Sequence, residues 1–403
     1  MSKIYKQISE LGEIITGKTP STANNELWGG DIPFITPTDI KSFDSYYQNE
    51  TERSVSDVGA QKQIKTILPK NSVCVSCIAT IGKMCLTRCK SITNQQINSI
   101  IPNKENDYRY ILYMLRYNLP YIQLVGGGSG SGTPIISKNN FSRFKFLIED
   151  NLPIQRRIAS ILSAYDNLIE NNNKRIRLLE QIAENLYKEW FVRFRFPGHE
   201  NAEFENGLPK GWREEVASNV IDVMSGGTPK TEREEFYGGE IPFFTPKDAD
   251  DSIFVYSTIT NITEEGLAHC NSQYYPVNTL MITARGTVGK LSLLAVPMAM
   301  NQSCFALSFK DRKNPYYLYY SIKNEVSKLK KMANGGVFDT IIVKTFDHIK
   351  VILPHNDVLD IYDKTVSPIL SQIQHLQRQS SLLSRQRDLL LPRLMSGKLE
   401  VKK

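Results

Sequence analysis

The first segment of the chain whose residues could do chemistry runs from Gly12 to Thr19. Its letters match the pattern G-x-x-x-x-G-K-[ST], in which a strand leads to a glycine-rich loop and a helix whose backbone amides bind phosphate. Pro20 follows at once, and Ser21–Asn25 is a poor helix-forming stretch. A related stretch, Ile221 to Thr228, lacks both the first glycine and the lysine. A turn shared by the two stretches is favoured, and an ATPase that uses Gly12–Thr19 is kept as an alternative.

A second candidate is the tetrapeptide Asn314-Pro315-Tyr316-Tyr317. It resembles the Asn-Pro-Pro-Tyr motif of adenine-N6 methyltransferases but lacks the second proline. No glycine-rich loop after a predicted strand offers a pocket for a methionine-derived cofactor. Asn314 and Pro315 are typical of a helix start, and the tyrosines after them begin a run that predicts a buried helix. A methyltransferase site within this chain is therefore not favoured.

Four cysteines are close enough in sequence to suggest a zinc site, namely Cys74, Cys77, Cys85 and Cys89. The two pairs are closer together than zinc-binding pairs usually are. The later copy of this segment lacks the first two cysteines, so buried thiols are favoured over metal ligands. The histidines are scattered, and no nucleophile is paired with a base. We therefore predict no metal site and no catalytic residue, and a protein that binds rather than reacts.

One long segment occurs twice in the chain. Gly17–Asp39 returns 209 residues later as Gly226–Asp248, with the shared pattern Gly-(Lys/Gly)-Thr-Pro … (Trp/Tyr)-Gly-Gly-x-Ile-Pro-Phe-(Ile/Phe)-Thr-Pro-x-Asp. Two later blocks return after 207 residues: Asn71–Lys83 as Asn278–Lys290, and Asn94-Gln95 as Asn301-Gln302. A repeat of this length is a whole domain, because solenoid units have roughly 20–50 residues. We expect a chain with one domain twice to bind something two-fold, or one thing in two places.

Composition is ordinary for a globular protein of two or three domains, with 403 residues, 41% hydrophobic and 23% charged. The net charge of +7 and the pI of about 8.9 permit a nucleic-acid partner without requiring one. No run of eighteen apolar residues is present, and Met1–Lys6 lacks the apolar core of a signal peptide. We therefore expect a cytoplasmic protein with reduced cysteines and no membrane segment.

Two stretches have apolar residues at alternating steps of four and three, the pattern of a coiled coil. The first begins after Pro153, which suits a first helical turn. Its predicted seam residues are Ile158, Leu162, Tyr165, Ile169, Asn172, Ile176, Leu179, Ala183, Leu186 and Trp190. The seam of the second stretch comprises Val366, Ile369, Ile373, Leu376, Ser380, Leu383, Arg387, Leu390 and Leu394. Two unrelated amphipathic helices are the alternative.

The predicted fold class is α+β: two similar mixed α/β globular domains separated by two long helices that form an antiparallel coiled coil. The predicted boundaries are 1–152 for the first domain, 153–195 for the first long helix, 196–355 for the second domain and 356–403 for the second long helix. A linker is predicted at Phe196–Asn201. With antiparallel helices, the two domains would lie at opposite ends of a rod with a local two-fold axis.

The chain resembles the specificity subunit of type I restriction-modification systems. The resemblance rests on the doubled pattern above, on the doubled Ile/Val-Gly-Lys and Asn-Gln, and on two further motifs. These are Leu152-Pro153-Ile154-Gln155-Arg156-Arg157-Ile158 and, near the C-terminus, Leu389–Leu399. The order and duplication of the motifs are specific, although each is weak alone. One departure is that Leu353–Val358, which starts the second helix, lacks the Gln-Arg-Arg stretch, so contacts there could be asymmetric.

The resemblance implies two target recognition domains, each reading one half of a bipartite double-stranded DNA sequence. It also implies that the coiled coil sets the spacer and docks two methyltransferase subunits, each of which flips one adenine. Restriction subunits with the ATP-driven motor and nuclease would join them. This chain would then be a non-catalytic subunit with no cofactor of its own, while S-adenosylmethionine, ATP and magnesium would bind to the partners.

Candidate DNA contacts lie in the repeated loops. Cations suited to phosphates are Lys18, Lys83, Lys247, Arg285 and Lys290. Amides and hydroxyls suited to base edges are Thr36, Thr38, Gln95, Gln96, Thr245 and Gln302. A motif present in both copies is more typical of scaffold, because the two halves should read different bases, and this applies most to Asn94 and Asn301. The glycine-rich runs Gly126–Gly132 and Asn334–Gly336 could approach a phosphate backbone, although plain loops are favoured.

The main alternative is a coiled-coil scaffold or adaptor protein that binds no DNA. The sequence predicts neither the target bases nor the spacer length. It also leaves open whether a restriction subunit exists in the native system and whether the chain binds DNA without its methyltransferase partner.

Overall fold

The computed structural model describes residues 3–40, 46–48, 50–126, 133–332 and 340–401. The runs 127–132 and 334–336, predicted as glycine-rich loops, lie outside these residues. The chain divides into two compact units. Unit 1 comprises residues 1–174 and 376–403, and unit 2 comprises residues 175–375.

Unit 1 contains nine strands and five helices in its described residues, besides parts of two long helices. The strands are β1 Lys3–Gln7, β2 Gly12–Thr16, β3 Trp28–Ile35, β4 Arg53–Val55, β5 Val73–Ser76, β6 Met84–Leu86, β7 Ile92–Thr93, β8 Ile97–Pro102 and β9 Lys145–Glu149. The helices are α1 Ile8–Leu11, α2 Asp57–Gln61, α3 Tyr108–Tyr117, α4 Leu119–Gly126 and α5 Lys138–Arg143. Single 3-10 turns occupy Asn25–Leu27 and Ile64–Thr66.

Three small sheets build unit 1. One has the order β2-β8-β5-β6, with all neighbours antiparallel. In the second, β3 pairs antiparallel with β4 and parallel with β7, and β1 pairs with β9 in the third. All four residues of β5 are buried, as expected for an inner strand rich in β-branched residues.

Unit 2 repeats this arrangement. The first long helix, α6 Leu152–Tyr187, lies partly in unit 1, and is followed by β10 Phe204–Glu205, β11 Leu208–Pro209, β12 Arg213–Val216, α7 Ala217–Val220, β13 Ile221–Ser225, β14 Tyr237–Phe244, β15 Phe254–Val255, β16 Asn261–Ile262, α8 Glu264–Ala268, β17 Leu280–Thr283, β18 Leu291–Leu294, β19 Ala299–Met300, β20 Cys304–Phe309, α9 Pro315–Met332, β21 Lys350–Leu353 and α10 Asn356–Ser396. Irregular turns occupy Lys188–Val192, a π-helix, and His199–Asn201, Glu234–Phe236 and Val343–Asp347, which are 3-10 helices.

The sheets of unit 2 have the orders β13-β20-β17-β18-β15, β16-β14-β19 and β12-β21, and β10 with β11 forms a separate hairpin. β14 pairs parallel with β19, just as β3 pairs with β7 in unit 1. Asn71 and Asn278 both have positive φ, 69° and 66°, at the turn before the inner strand. Asparagine tolerates this left-handed conformation better than other residues with a side chain. The sequence repeat is therefore a repeat of fold.

Each unit has a buried helix, and that of unit 2 is the helix predicted after Asn314 and Pro315. In α3, Tyr110 to Leu115 are all buried, and the hydroxyl of Tyr110 accepts a hydrogen bond from the backbone amide of Glu149 at 2.8 Å. In α9, Tyr317 and its neighbours up to Ile322 are buried in the same way. Where unit 2 has the single helix α9, unit 1 has two helices, α3 and α4. The break falls near Pro120, which lacks the amide hydrogen that a continuous helix would need there.

The two long helices comprise 36 residues in α6 and 41 residues in α10. The side chain of Asn151 accepts a hydrogen bond from the amide of Ile154 at 3.2 Å and so caps α6. Gly397, with a φ of 80°, ends α10 in a left-handed conformation. The boundary between the units falls inside both helices, because Ile158, Leu162 and Leu394 belong to the core of unit 1.

Within unit 1 the two helices run antiparallel. Asp166 pairs with Arg387, and further along α6 the side chain of Asn172 donates to Gln379 at 2.9 Å and to Ser380 at 3.3 Å. Most predicted seam residues of both helices are buried: Ile158, Leu162, Ile169, Asn172, Ile176, Ala183, Trp190, Val366, Ile373, Leu376, Arg387 and Leu394. The others are half-buried: Tyr165, Leu179, Leu186, Ile369, Ser380, Leu383 and Leu390.

The second seam departs from the predicted spacing at one place. Leu370 is fully buried, whereas its neighbour Ile369 is half-buried. The buried positions near it, Val366, Leu370 and Ile373, are separated by four and then three residues, the reverse of the predicted order. Either spacing places the residues on the same face of the helix. Packing, and not the sequence spacing, therefore decides that Leu370 is buried in place of Ile369.

The observed fold is the predicted one, with two similar mixed helix-and-sheet domains and two long helices. Within the described residues, no helix combines the length and the apolar content needed to cross a lipid bilayer.

Candidate functional site

The repeated motifs of each unit meet at one end of its sheets. In unit 1, Thr16 at the end of β2 pairs with Asn98 at the start of β8, and Ile35 at the end of β3 pairs with Thr93 at the end of β7. The loops that follow these strand ends are therefore neighbours. We call them the motif edge: residues 17–20, 36–39, 76–83 and 94–96 in unit 1, and 226–229, 245–248, 283–290 and 301–303 in unit 2.

The Thr-Pro-x-Asp segment forms the same closed turn in both units. Asp39 accepts hydrogen bonds from the backbone amide and the hydroxyl of Thr36, at 2.7 and 2.6 Å, and from the amide of Glu52 at 2.8 Å. Asp248 accepts from the amide and hydroxyl of Thr245, at 2.8 and 2.6 Å, and Ile259 donates the third bond. The hydroxyls of Thr36 and Thr245, which the sequence predicts to contact bases, therefore hold the turn together by hydrogen bonds within the protein.

The Gly-x-Thr-Pro loop packs on the Asn-Gln turn. The hydroxyl of Thr19 donates to Oε1 of Gln95 at 2.7 Å, and Thr228 donates to Gln302 in the same way. A β-carbon at Gly17 would collide with the backbone of Asn94, so glycine is required by this close approach. Asn94 is buried and its side chain accepts from the amide of Gln96 at 3.1 Å, which closes the turn. Asn94 is thus scaffold, as its repetition suggested.

The Gly-Lys turn is closed by a hydroxyl on the inner strand. Ser76 accepts from the amide of Lys83 at 2.9 Å, and its counterpart Thr283 accepts from the amide of Lys290 at 3.0 Å. The side chain of Lys83 then donates to the carbonyl of Pro37 at 2.8 Å, which ties this turn to the Thr-Pro-x-Asp turn. The ammonium of Lys290 lies instead 3.3 Å from the carboxylate of Asp251.

The predicted contact residues differ in exposure although all of them lie on the motif edges. Six are exposed: Lys18, Thr38, Gln95, Lys247, Arg285 and Gln302. Five are half-buried: Thr36, Lys83, Gln96, Thr245 and Lys290. The exposed cations and amides of each motif edge could bind an anionic, hydrogen-bonding surface such as DNA.

The other sequence candidates occupy structural positions. Gly12–Thr16 is strand β2, and the chain after it reaches only the 3-10 turn Asn25–Leu27, so the helix that a phosphate-binding loop requires is missing there. Asn314 is buried before α9 and donates to the carboxylate of Asp363 at 2.5 Å. Cys74 and Cys85 lie opposite each other on β5 and β6 and are fully buried. In the part of the chain that the structure describes, no group of histidine, cysteine and acidic residues could hold a metal ion.

The helix-start motif is an internal anchor. Gln155 is fully buried, accepts from the amide of Asp107 at 2.9 Å, and donates to Asn106 and to the carbonyl of Glu149 at 3.1 and 2.7 Å. It therefore joins α6 to the sheet and to α3. Unit 2 has His355 near this position, where its ring contacts the carbonyl of Lys210 at 3.2 Å. The expected asymmetry between the helix starts is present.

Two exposed residues next to the motif edges are not among the predicted contact residues. Gln123 on α4 and Lys330 on α9 are exposed beside the Gly-Lys turns of their units. They lie outside the repeated motifs, and the signal that could have found them is their separation of 207 residues, the same as for the turns they adjoin.

Comparison with known proteins places the chain in a family. The family described as "Type I restriction modification DNA specificity domain" matches residues 3–181 and 209–381. The chain is 28% identical to the type I restriction enzyme MjaIX specificity subunit of Methanocaldococcus jannaschii, over 98% of this chain and 93% of that protein. It is 23% identical to the HindI specificity subunit of Haemophilus influenzae, over 75% of this chain and 78% of that protein.

A solved structure has the same fold. The type I restriction-modification S subunit from M. genitalium superposes with a TM-score of 0.59 and 15% identity, covering 100% of this chain and 97% of that chain. The family match falls twice, once on the domain of each unit, and covers most of the sequence. With its two related units and their repeated motif edges, the chain belongs to the family of type I restriction-modification DNA specificity proteins.

Proposed function

We propose that this chain is the subunit that gives a type I restriction-modification complex its DNA sequence specificity. The observation that carries this proposal is the duplication: the family domain occurs twice, and each copy presents the same four loops on one edge. Each unit would read one half of a bipartite double-stranded target. Two proteins similar to this chain over most of its length are named as specificity subunits of such enzymes.

The chemistry of the reaction would belong to partner subunits. Two methyltransferase subunits would dock along α6 and α10, each methylating one adenine, and restriction subunits would supply ATP-dependent cleavage. S-adenosylmethionine and ATP would bind to those partners. This division of labour fits a chain whose conspicuous polar residues close turns and anchor helices instead of forming a nucleophile–base pair.

The exposed and half-buried residues of the motif edges would divide between two tasks. The exposed cations Lys18, Lys247 and Arg285 and the half-buried Lys83 and Lys290 would bind phosphates and fix the register of the protein on the duplex. Thr38, Gln95, Gln96 and Gln302 remain candidates for contact with base edges. Thr36 and Thr245 would act chiefly by holding the turns in place, because their hydroxyls already donate to Asp39 and Asp248.

The experiment that tests this function is a methylome. The chain is expressed with its methyltransferase partner in a host without adenine methylation, and modified bases are read by single-molecule sequencing. We expect methyladenine in both halves of one split sequence. Expression of the methyltransferase without this chain is the control and should leave the genome unmodified.

A scaffold or adaptor that binds no DNA is the competing function. A soluble, assembled complex that methylates nothing and fails to shift DNA in a gel would support the scaffold and contradict specificity. DNA binding should be measured with the methyltransferase present, because the proposed function is that of the assembled complex.

A further inference from the structure

The Gly-Lys turns of the two units have the same backbone but different neighbours. Gly82 has a φ of 95° and its counterpart Gly289 a φ of 74°, conformations that favour glycine. A β-carbon at Gly82 would collide with Leu119 and lie 3.6 Å from Nε2 of Gln123. A β-carbon at Gly289 would lie 2.8 Å from Val326 and 3.3 Å from Nζ of Lys330.

These neighbours are equivalent residues of the two copies. Leu119 and Val326 are 207 residues apart, as are Gln123 and Lys330, and this is also the separation of the two glycines. In each unit the apolar residue, Leu119 or Val326, packs on the glycine. The other residue is an amide in unit 1, Gln123, and an ammonium in unit 2, Lys330. The chemical group therefore differs between the units at the same position in the fold.

The amide of Gln123 is held in a defined direction. The side chain is exposed, and its Nε2 donates to the carbonyl of Ile81 at 3.2 Å. An amide nitrogen has two hydrogens, so one donor and the amide oxygen remain for a ligand. A glutamine that offers one donor and one acceptor side by side matches the N7 and N6 groups of adenine in the major groove.

Lys330 offers donors alone. Its side chain is exposed, and among the described residues its ammonium has neither a hydrogen-bond partner nor an ion-pair partner. Arg285 and Lys290 flank the same turn, and Lys290 is paired with the carboxylate of Asp251 at 3.3 Å. A lysine at this place matches the two acceptors of guanine, N7 and O6.

Residues that discriminate bases have to differ between the two copies, because the halves of a bipartite target differ. Motif residues that are the same in both units, such as Gln95 and Gln302, cannot meet this requirement. Thr38 and Gln96 differ from their counterparts Lys247 and Ser303, as Gln123 differs from Lys330. We propose that Gln123 and Lys330 are paired base-reading positions, with Gln123 selecting an adenine in one half of the target and Lys330 a guanine in the other. This proposal depends on the proposed DNA-reading function.

Exchanging the two side chains tests the assignment. Gln123→Lys and Lys330→Gln are each expressed with the methyltransferase partner, and the methylome is compared with that of the wild-type complex. We expect each variant to change base preference by about tenfold or more at one position of one half-site. Gln123→Lys should turn an adenine preference towards guanine, Lys330→Gln should do the reverse, and the other half-site should remain unchanged.

Two matched controls make the same chemical changes away from the motif edges. Gln61→Lys changes α2, which lies beside the start of β3. The motif edge follows the other end of β3. Lys313→Gln follows the far end of β20. Both controls should methylate the wild-type sequence. Gln123→Ala and Lys330→Ala, which add no new group, should make one position degenerate.

Three results would overturn the assignment. One is a wild-type methylome from all four variants, which would show that neither side chain reads a base. Another is a uniform loss of affinity for every sequence with a smaller salt dependence, which would show a phosphate contact. A wild-type complex that methylates no split sequence would instead contradict the proposed function and this assignment with it, so the two failures are distinguishable.

Discussion

The lysines of the motif edges differ in the partners available to their ammonium groups. In the described residues, Lys18 and Lys247 are exposed and have no protein partner, whereas Lys83 donates to the carbonyl of Pro37. A cation that has no partner within the protein breaks no hydrogen bond or ion pair when it binds a phosphate. Lys18 and Lys247 are therefore the residues whose removal should report phosphate binding with the least disturbance of the fold.

Lys18→Ala and Lys247→Ala should each weaken DNA binding equally for specific and non-specific sequences. Each should also reduce the slope of log affinity against log salt by about 1, because one phosphate contact and its released counterion are lost. Filter binding of the complex from about 50 to about 200 mM salt measures both effects. Lys104→Ala and Lys313→Ala, beyond the far ends of β8 and β20, are the controls. An unchanged slope in the first two variants would mean that they touch no phosphate.

Asp363 is a half-buried acid whose ionisation opposes folding. Burial raises its pKa to about 6, and the hydrogen bond from Asn314 offsets this only in part. In the unfolded chain the carboxyl ionises near pH 4. Between about pH 4 and pH 6 the unfolded state therefore releases its proton first, and stability falls as the pH rises through this window. Above pH 6 the loss is constant.

Asp363→Asn should remove this loss while its amide oxygen still accepts from Asn314. We expect a gain of about 1 kcal/mol at pH 7.5, a value already reduced for solvent screening, and almost none near pH 4. Urea unfolding followed by tryptophan fluorescence measures it, since Trp190 contacts the adjacent Tyr362 at 5.6 Å between ring centroids. Asp311→Asn, an exposed acid of the same unit, is the control. A gain that is the same at both pH values would rule out ionisation as its cause.

At the scale of the elements, a charged pair lies where the long helices meet in unit 1. Asp166 is fully buried and accepts hydrogen bonds from Tyr113 and Arg387, with Arg116 at 3.4 Å. Burying a carboxylate is costly unless cations and donors surround it. The pair is satisfied in one alignment of α6 against α10, and together with Asn172 and its partners it specifies the register of the two helices.

Arg387→Met should destabilise unit 1 by about 3 kcal/mol, because it leaves Asp166 buried without its main cation. The double variant Asp166→Asn with Arg387→Met should recover part of this loss. Hydrogen exchange of amides in unit 1, followed by mass spectrometry, reports the local stability. Arg385→Met, an exposed arginine on the same helix, should change little. Equal effects of Arg385→Met and Arg387→Met would show that burial of the pair is irrelevant.

The periodicity of the sequence was sufficient to predict both long helices and most of their buried face, because one apolar residue per turn decides which side packs. It placed Arg387 on the seam but did not identify Asp166, which follows the seam residue Tyr165 and is buried against Tyr113, Arg116 and Arg387. The repeat predicted both domains. A sequence does not show that Asp39 and Asp248 accept the hydroxyls of Thr36 and Thr245, so the part of these threonines in holding the turns could not be predicted. Gln123 on α4 and Lys330 on α9 lie outside the repeated motifs, so the sequence pattern does not indicate them.

At the scale of the whole molecule, the chain passes between the units at only two places, 174/175 and 375/376. Both places lie inside continuous helices, α6 and α10. A continuous helix has a fixed length for a given number of residues, because it rises 1.5 Å per residue. If the units read two half-sites, the helices between them are the elements that fix the number of base pairs in the spacer.

Inserting four residues into each helix at these places should lengthen the preferred spacer by about one to two base pairs, given ~6 Å of added helix against ~3.4 Å per base pair. Four residues exceed one helical turn only slightly, so the seam of each helix keeps nearly the same face. The methylome of the variant should show the two half-sites unchanged and the spacer between them longer. A four-residue insertion in the loop around Asn103–Glu105, within unit 1, is the control and should leave the spacer unchanged. An unchanged spacer in the helix variant with full methylation would mean that the helices do not set it.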